Sequence, residues 1–297
     1  MSTLSRRRFL QAAMLTLAGG AGLSIAQAPQ AHALGAVRGT IIDFSAGVPS
    51  AQAIKNAGHI GAIRYVSQRR PGAEWMKGKP VTLAETQAMA SVGMATASIY
   101  QFGRAETADW KQGAAGAAIH APQAIALHIA AGGPTNRPIY VAIDDNPTHT
   151  EYTSLIRPYL QAFQTALKAS GYQMGVYANY ATIDWAAADG LGEFFWQHDW
   201  GSQGRINNRI NIHQVAGKRG VIDGIEVDIN HVYTADWGQW TPGQAAPHIP
   251  NIPSGNIAIP DLNQLSSQLP IPPELKNLPM PTQDQMNQAL KIIQSSS

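Results

Sequence analysis

The chain has 297 residues, enough for one large domain or two small ones, and 44% of them are hydrophobic, as in proteins with a buried core. Cysteine is absent, which excludes disulfide bonds, thiolate metal sites and a cysteine nucleophile. The formal net charge is +2, but three of the 21 basic residues are Arg6, Arg7 and Arg8. Without residues 1–33 the balance is 18 basic against 19 acidic residues, 18 − 19 = −1. The charge therefore gives no support to a nucleic-acid or anionic-membrane partner.

The first 33 residues have the pattern of an export signal. Residues 5–11 read Ser-Arg-Arg-Arg-Phe-Leu-Gln, and a stretch of apolar and small residues follows at 12–26. The arginine pair followed by Phe-Leu matches the twin-arginine signature, and Ala-His-Ala at 31–33 has the form of a cleavage site. A surface amphipathic helix and a retained membrane anchor are the alternatives. We expect cleavage after Ala33, or else after Ala28, and a protein that is secreted or held in the cell envelope.

From residue 39 to about residue 240, short β-branched or aromatic runs alternate with longer Ala-rich or amphipathic stretches. This alternation is typical of βα units with a parallel sheet, and eight strands are the number that a closed barrel needs. We predict an α/β fold with a single (β/α)8 TIM barrel over 34–240, and short helices after strands six and seven. A doubly wound open sheet is the alternative, although no Gly-x-Gly-x-x-Gly run follows any strand. The predicted strands are 40–44, 62–66, 96–100, 139–143, 175–178, 194–197, 210–214 and 225–229, and the helices between them are 49–58, 82–92, 107–131 and 151–170.

The composition changes after Trp240, because ten of the chain's 19 prolines lie in the last 56 residues. Such spacing favours extended or irregular chain over a packed core. We therefore predict a Pro-rich tail at 241–297, with one short helix allowed at 283–294. The tail is a candidate to contact other components of the cell envelope.

Carboxylates end several of the predicted strands. Asp43 ends the first strand, Asp144 and Asp145 follow the fourth, and Glu226 and Asp228 share one face of the eighth. The active site of a parallel barrel is built at the C-terminal ends of its strands. Hydrolysis of a glycosidic bond needs one protonated acid and one ionised carboxylate in a single cleft. We therefore predict a catalytic set of Asp43, Asp144, Asp145 and Asp228.

Aromatic and hydrogen-bonding side chains are expected around the same mouth. Flat rings offer apolar faces on which sugars can stack, and amide or imidazole groups can bind sugar hydroxyls. The predicted substrate-binding residues are Tyr65, Tyr100, Asn146, Tyr177, Asn179, Trp196, His198, Gln214 and Glu226.

Each of these residues also has a structural interpretation. A single Asp at a strand end more often caps a helix or forms a turn, and an aromatic ring near a strand end more often packs than binds ligand. The histidines show no spacing typical of a metal site, no cofactor motif is present, and no Gly-x-Ser-x-Gly nucleophile turn occurs. We predict neither a metal nor a cofactor.

Several motifs resemble those of a known family. Gly-Ala-Ile-Arg-Tyr-Val-Ser at 61–67, Ile-Asp-Asp-Asn-Pro at 143–147, Gly-Val-Tyr-Ala-Asn at 175–179 and Phe-Trp-Gln-His at 195–198 are similar to a glycoside-hydrolase-like, twin-arginine-exported family of mycobacteria and relatives. More distantly, Ile-Ile-Asp-Phe-Ser at 41–45 and the segment 212–230 resemble the first and last strands of the family 25 lysozymes. The resemblance covers about 34–240 and implies a cell-envelope location and a substrate of peptidoglycan or another wall glycan.

The chain departs from the family 25 pattern at the end of strand four. Those lysozymes carry Asp-x-Glu there, with the Glu as general acid, whereas this chain reads Asp144-Asp145-Asn146. Asparagine cannot donate the catalytic proton. Three outcomes follow: Asp145 or Glu226 is the acid, the acetamido group of the substrate assists with Asp144 orienting it, or hydrolysis is lost and the site only binds sugar.

Three functions remain open at this point. The first is a monomeric glycosidase that acts on cell-wall polysaccharide. The second is a catalytically inactive, lectin-like protein that uses the same cleft to bind wall glycan in envelope maintenance. The third assigns the function to the Pro-rich tail, which would dock a partner protein.

Overall fold

The computed structural model describes residues 34–243. The predicted signal at 1–33 lies outside the described residues, as does nearly all of the predicted tail with its possible helix at 283–294. Within 34–243 no helix is both long enough and apolar enough to span a membrane.

Eight strands form a closed barrel in which neighbours follow the order of the chain. Seven of them, β1 to β7, pair in parallel, and the predicted strands agree with them to within a few residues except at β7 and β8. The strands are β1 Gly39–Asp43, β2 Gly61–Tyr65, β3 Ala95–Tyr100, β4 Pro138–Ala142, β5 Gln173–Ala178, β6 Phe194–Gln197, β7 Ile212–Ile222 and β8 Ile225–Val232.

The predicted (β/α)8 TIM barrel is wrong, because β8 runs antiparallel to both of its neighbours, β7 and β1. Only Asp223 and Gly224 separate β7 from β8, and both have positive φ, 50° and 75°. A parallel connection needs a crossover of a dozen or more residues, whereas an Asp-Gly pair with positive φ forms a two-residue hairpin turn. The sheet is therefore mixed, and β8 enters the barrel from the mouth.

Helices follow only the first five strands in the described part of the chain, which also departs from the (β/α)8 pattern. Helix α2 begins as predicted, with the Thr82 hydroxyl accepting a hydrogen bond from the Glu85 amide at 3.3 Å. The predicted short helices after strands six and seven are absent from the described residues, because a short Gly- and Asn-rich segment joins β6 to β7 and a two-residue turn joins β7 to β8. The helices are α1 Ala51–Asn56, α2 Leu83–Ser91, α3 Gly113–Ala130, α4 His149–Glu151, α5 Arg157–Ala169 and α6 Tyr180–Ala188, with a π-helical turn at Tyr152–Ile156 joining α4 to α5.

Two apolar layers follow from the alternation of side chains along the strands. One fills the barrel interior and includes Ile41, Ile99 and Trp196, all at most 1% exposed. The other lies between the barrel and the helices, where Tyr100 and Phe163 are fully buried. The interior layer leaves the mouth of the barrel to polar side chains.

Candidate active site

A cavity of about 430 Å³ opens at the barrel mouth, where β1 to β6 end and the β7–β8 hairpin rises. Its walls are mostly charged, aromatic or amide side chains. They include Asp43, Tyr65, Arg70, Trp75, Lys79, Gln101, Arg104, Asp144, Tyr177, His198, Asp199, Trp200, Gln214, Arg219, Glu226 and Asp228.

Asp43, at the end of β1, is the most buried carboxyl group of the cavity, with 2% of its surface exposed. Its Oδ2 accepts hydrogen bonds from Asn230 Nδ2 at 2.8 Å and Gln214 Nε2 at 3.0 Å. Its Oδ1 accepts only a longer one, at 3.3 Å, from the Tyr65 hydroxyl. Burial, and then the nearby charge of Asp228, raise the pKa of Asp43 to about 7. Asp43 is therefore partly protonated at neutral pH.

Asp228 lies directly opposite Asp43 in the β1–β8 register. It is half-buried, and burial raises the pKa of its carboxyl group, although Arg219 opposes that shift. Arg219 Nε donates to Asp228 at 3.2 Å, and another guanidinium nitrogen, Nη1, lies 3.2 Å from Glu226. The hairpin thus holds two predicted site residues, Asp228 and Glu226, around one arginine.

Asp144 faces the cavity from the segment after β4. Its Oδ2 accepts a hydrogen bond from Gln101 Nε2 at 3.0 Å. The backbone oxygen of Gln101 accepts a hydrogen bond at 2.8 Å from Lys79 Nζ, and that ammonium also lies 3.9 Å above the centre of the Tyr65 ring. Lys79, Gln101 and Asp144 therefore form one connected polar wall.

Tyr177 and Gln214 link the floor of the cavity to Asp43. The Tyr177 hydroxyl donates to Gln214 Oε1 at 2.6 Å, and the Gln214 amide donates to Asp43. Beneath them, Trp196 packs on Tyr177 with ring centroids 4.3 Å apart and donates from Nε1 to Asn230 Oδ1 at 2.8 Å. Trp196 itself does not line the cavity and acts on the site through Asn230 and Tyr177.

His198 lines the cavity with an imidazole that is 4% exposed. Its Nε2 lies 3.2 Å from the Ile143 carbonyl oxygen, which fixes Nε2 as the protonated nitrogen when the ring is neutral. Burial lowers the pKa of His198, so the neutral form is favoured. Its Nδ1 has no hydrogen-bond partner within residues 34–243.

Five predicted site residues lie away from the cavity lining, Trp196 and four others. Tyr100 points out of the barrel, where its hydroxyl lies 2.6 Å from His120 Nδ1, because the side chain that faces inward at the end of β3 is that of Gln101. Asn179 is the N-cap of α6. Asp145 accepts a hydrogen bond from the backbone of Asn146, and Asn146 is exposed and bonded to Asn179. Their predicted roles in catalysis or binding remain predictions.

Several cavity residues were not predicted from the sequence. Gln101 directly follows β3, and the alternation of side chains along that strand could have predicted that it faces the cavity. Arg70, Trp75 and Lys79 lie in the long loop between β2 and α2, and Arg104 lies in the segment after β3. No pattern in the sequence predicts that those segments lie over the mouth of the barrel. Among the described residues no group of three or more His, Asp or Glu side chains could hold a metal ion.

A family model described as "Rv2525c-like, glycoside hydrolase-like domain" matches residues 52–232. The chain belongs to this family. It is 47% identical over 204 residues to Rv2525c of Mycobacterium tuberculosis, a protein whose name carries a provisional assignment as a peptidoglycan hydrolase, and the match covers 68% of this chain and 84% of that one. The predicted resemblance to a twin-arginine-exported, glycoside-hydrolase-like family is confirmed.

The crystal structure of the Tat-secreted protein Rv2525c in complex with L-tartrate is 46% identical, with a TM-score of 0.65 over 68% of this chain and 99% of that chain. The family 25 glycosyl hydrolase of Bacillus anthracis is also similar, at 14% identity and a TM-score of 0.41 over 67% of this chain and 91% of that chain. The second score is too low to support an inference about the site.

Proposed function

We propose that the protein hydrolyses glycosidic bonds of a cell-wall glycan, with peptidoglycan as the principal candidate. The observation that carries this proposal is that Asp43 on β1, Asp144 after β4 and Asp228 on β8 line one cavity. Membership of a glycoside-hydrolase-like family supports the reaction class. The provisional assignment of the M. tuberculosis relative to peptidoglycan supports the substrate class.

Asp43 supplies the proton in this proposal. Its Oδ2 is occupied by two amide donors, so a proton on the carboxyl group resides on Oδ1, where only the longer Tyr65 contact competes. A pKa of about 7 keeps part of the population protonated at neutral pH, as a general acid requires. This role compensates for Asn146, which lies outside the cavity lining and cannot donate a catalytic proton.

Asp144 and Asp228 supply the remaining carboxylate chemistry. Asp144 lies on the wall opposite the β1–β8 pair, where it can stabilise the positive charge that develops on the sugar or orient an acetamido group of the substrate. Asp228, beside Asp43, raises the pKa of that acid, and Asp43, once it has given up its proton to the leaving group, can take a proton from the attacking water. Asp145 and Glu226 are less suited to act as the acid, because Asp145 does not line the cavity and Glu226 is exposed and paired with Arg219.

Two exposed tryptophans favour an extended glycan as the ligand. Trp75 is 53% exposed and Trp200 is 58% exposed, and both border the cavity from different loops. Large aromatic side chains left open to water at a cleft offer stacking faces for sugar rings. Because they flank the carboxylates, we assign them to sugar units on the two sides of the reacting bond.

Export through the twin-arginine pathway places the protein where its proposed substrate occurs. The chain carries the twin-arginine motif at 5–11, and the Rv2525c relative is described as Tat-secreted. A substrate in the cell envelope is consistent with both observations.

A catalytically inactive, wall-glycan-binding protein is the second candidate. The replacement of the lysozyme acid by Asn146 favours it, since the cavity and its aromatic rings would still bind sugar without turnover.

The decisive experiment measures products from purified peptidoglycan and from defined glycan oligomers incubated with residues 34–297. We expect turnover that falls at least about 100-fold in Asp144→Asn, since one carboxylate of the reaction is lost. Glu193→Gln, a charge-matched change at an exposed site, should retain wild-type turnover. Asp145→Asn tests whether the neighbouring carboxylate also contributes to turnover. Saturable glycan binding without products from the wild-type protein would establish the lectin-like function instead, and no binding to any wall glycan would refute both.

A further inference from the structure

The cavity cations that lack a carboxylate partner among the described residues all lie on one side of it, whereas Arg219 pairs with Glu226 and Asp228 on the hairpin. The loops after β2 and β3 contribute three cations, Arg70, Lys79 and Arg104. The carboxyl groups lie around the rest of the mouth, on β1, on β8 and after β4 and β6. A glycan that crosses the cavity therefore meets positive charge on one side and the proposed catalytic carboxylates on the other.

None of these three cations is paired with a described carboxylate. Within residues 34–243 the ion pairs within 4.0 Å use other basic side chains, as in Arg64 with Glu85 and Arg219 with Glu226 and Asp228. An unpaired arginine on an open surface is ordinary, and Arg104 is exposed. An unpaired lysine that is 4% exposed, as Lys79 is, costs desolvation free energy and needs a reason.

The surroundings of Lys79 leave capacity for an anion. Its ammonium has three hydrogen-bond donors, and the structure uses one on the Gln101 carbonyl oxygen while the Tyr65 ring covers one side. Burial lowers the pKa of Lys79 to about 7, and Arg70 and Arg64 lower it in the same direction, whereas Asp109 and Asp144 oppose them. A bound anion would restore the charged form of the amine.

We propose, on the basis of the function proposed above, that Arg70, Lys79 and Arg104 form a subsite for a carboxylate carried by a sugar unit of the glycan. The two guanidinium groups can each present a fork of donors to a carboxylate, and Lys79 adds a point charge from below. Gln101 bridges Lys79 and Asp144, so the subsite lies next to a proposed catalytic group. A carboxylate on a short substituent of the sugar ring can reach it from the reacting unit.

Three matched oligosaccharides test the subsite by calorimetric titration of residues 34–297. They are a tetrasaccharide of alternating N-acetylglucosamine and N-acetylmuramic acid with free lactyl carboxylates, the same tetrasaccharide with those carboxylates amidated, and the tetramer of N-acetylglucosamine. To prevent turnover, the titrations use the Asp144→Asn background. We expect the free acid to bind about tenfold more tightly than its amide and than the neutral tetramer.

Paired substitutions test whether Arg70 and Arg104 cause the tighter binding of the free acid. Arg70→Gln with Arg104→Gln should reduce the acid-to-amide ratio to near one while leaving affinity for the neutral tetramer within about twofold. Arg38→Gln with Arg209→Gln removes the same charge at exposed sites outside the cavity lining and should keep the tenfold ratio. If Arg70→Gln impairs folding, the exposed Arg104→Gln alone should still lower the ratio severalfold.

The outcomes separate this inference from the proposed function. Equal affinity for acid, amide and neutral tetramer would refute the anionic subsite and leave glycan binding intact. A preference for the acid that survives in the Arg70→Gln, Arg104→Gln variant would also refute it. Failure of all three oligosaccharides to bind would refute the proposed function, and the subsite with it.

Discussion

At the residue scale, the environment of Asp43 decides its chemistry. A carboxyl group at a strand end is usually solvated, whereas Asp43 lies beneath the hairpin and faces Asp228 across the β1–β8 pair. Its three hydrogen-bond donors favour the ionised form, but burial outweighs them and the pKa rises to about 7. The proton that the proposed mechanism needs is therefore held by the fold itself.

This environment predicts a pH dependence of stability. Asp43 binds its proton more tightly in the folded protein, with a pKa of about 7, than in the unfolded chain, with a pKa of 3.8. Its contribution to the free energy of unfolding is therefore fully present below about pH 4 and is lost as the pH rises to 7. As the pH rises from 4 to 8, the free energy of unfolding of Asp43→Asn should increase relative to that of wild type, by an amount on the order of a few kcal/mol.

Urea unfolding at pH 4, 6 and 8 measures this difference. Glu193→Gln removes a carboxylate from an exposed position and serves as the control, with an unchanged profile. Parallel profiles for Asp43→Asn and wild type would show that Asp43 titrates in the folded protein as it does in the unfolded chain.

Single residues of the site were predictable where a strand placed them. Asp43 ends β1, Asp144 closely follows β4 and Asp228 lies within β8, and the sequence marks all three strands clearly. Tyr100 lies on the outer face of β3, because a strand that is buried on both faces, such as Ala95–Tyr100, does not show in its sequence which of its alternating faces is interior. Lys79 was beyond prediction, since its burial depends on the path of a loop over Tyr65.

At the element scale, the β7–β8 hairpin explains both the error in the predicted fold and the position of Glu226 and Asp228 at the cavity. The Asp223-Gly224 pair favours a two-residue antiparallel turn. The prediction of a parallel β8 rested instead on the count of eight strands. Because β8 starts at the mouth, Glu226 and Asp228 reach the cavity from the first half of their strand. Their predicted position at the mouth rested on a different reason, the end of a parallel strand.

Arg64 is the side chain that joins the elements on the basic side of the cavity. It is 1% exposed on β2, and its guanidinium donates to Glu85 of α2, to the Phe44 carbonyl after β1 and to the Gly78 carbonyl in the loop that carries Lys79. Its planar head also lies 3.8 Å above the centre of the Phe44 ring. One residue thus fixes the positions of the neighbours of Asp43 and Lys79.

We expect Arg64→Lys to lower the free energy of unfolding by about 3 kcal/mol, because a lysine cannot reproduce the planar fork that donates to three partners at once. Chemical denaturation measures this loss, and Arg209→Lys, at an exposed position, should lie within about 0.5 kcal/mol of wild type. A similar small effect for Arg64→Lys would show that the clamp adds little to stability.

At the scale of the whole molecule, the segment after β8 closes the end of the barrel opposite the cavity. The backbone of Trp240 exchanges hydrogen bonds with Thr96 at 2.9 and 2.7 Å, and its indole Nε1 donates to Ser98 at 3.1 Å. Trp237 packs into the barrel interior, and its carbonyl accepts a hydrogen bond from Tyr140 at 2.9 Å. Trp240 is the last buried aromatic side chain of the described residues, and the domain boundary at residue 240 stays a prediction.

This closure predicts where the chain can be shortened. A chain of residues 34–243 keeps every described contact of Trp237 and Trp240, so we expect its melting temperature to lie within about 3 °C of that of residues 34–297.

Trp240→Ala in either length should lower the free energy of unfolding by about 3–5 kcal/mol, because it removes a buried indole. Thermal unfolding followed by circular dichroism measures both. A large loss of stability on removing residues 244–297 alone would move the domain boundary beyond residue 243 and give the Pro-rich segment a part in holding the barrel together.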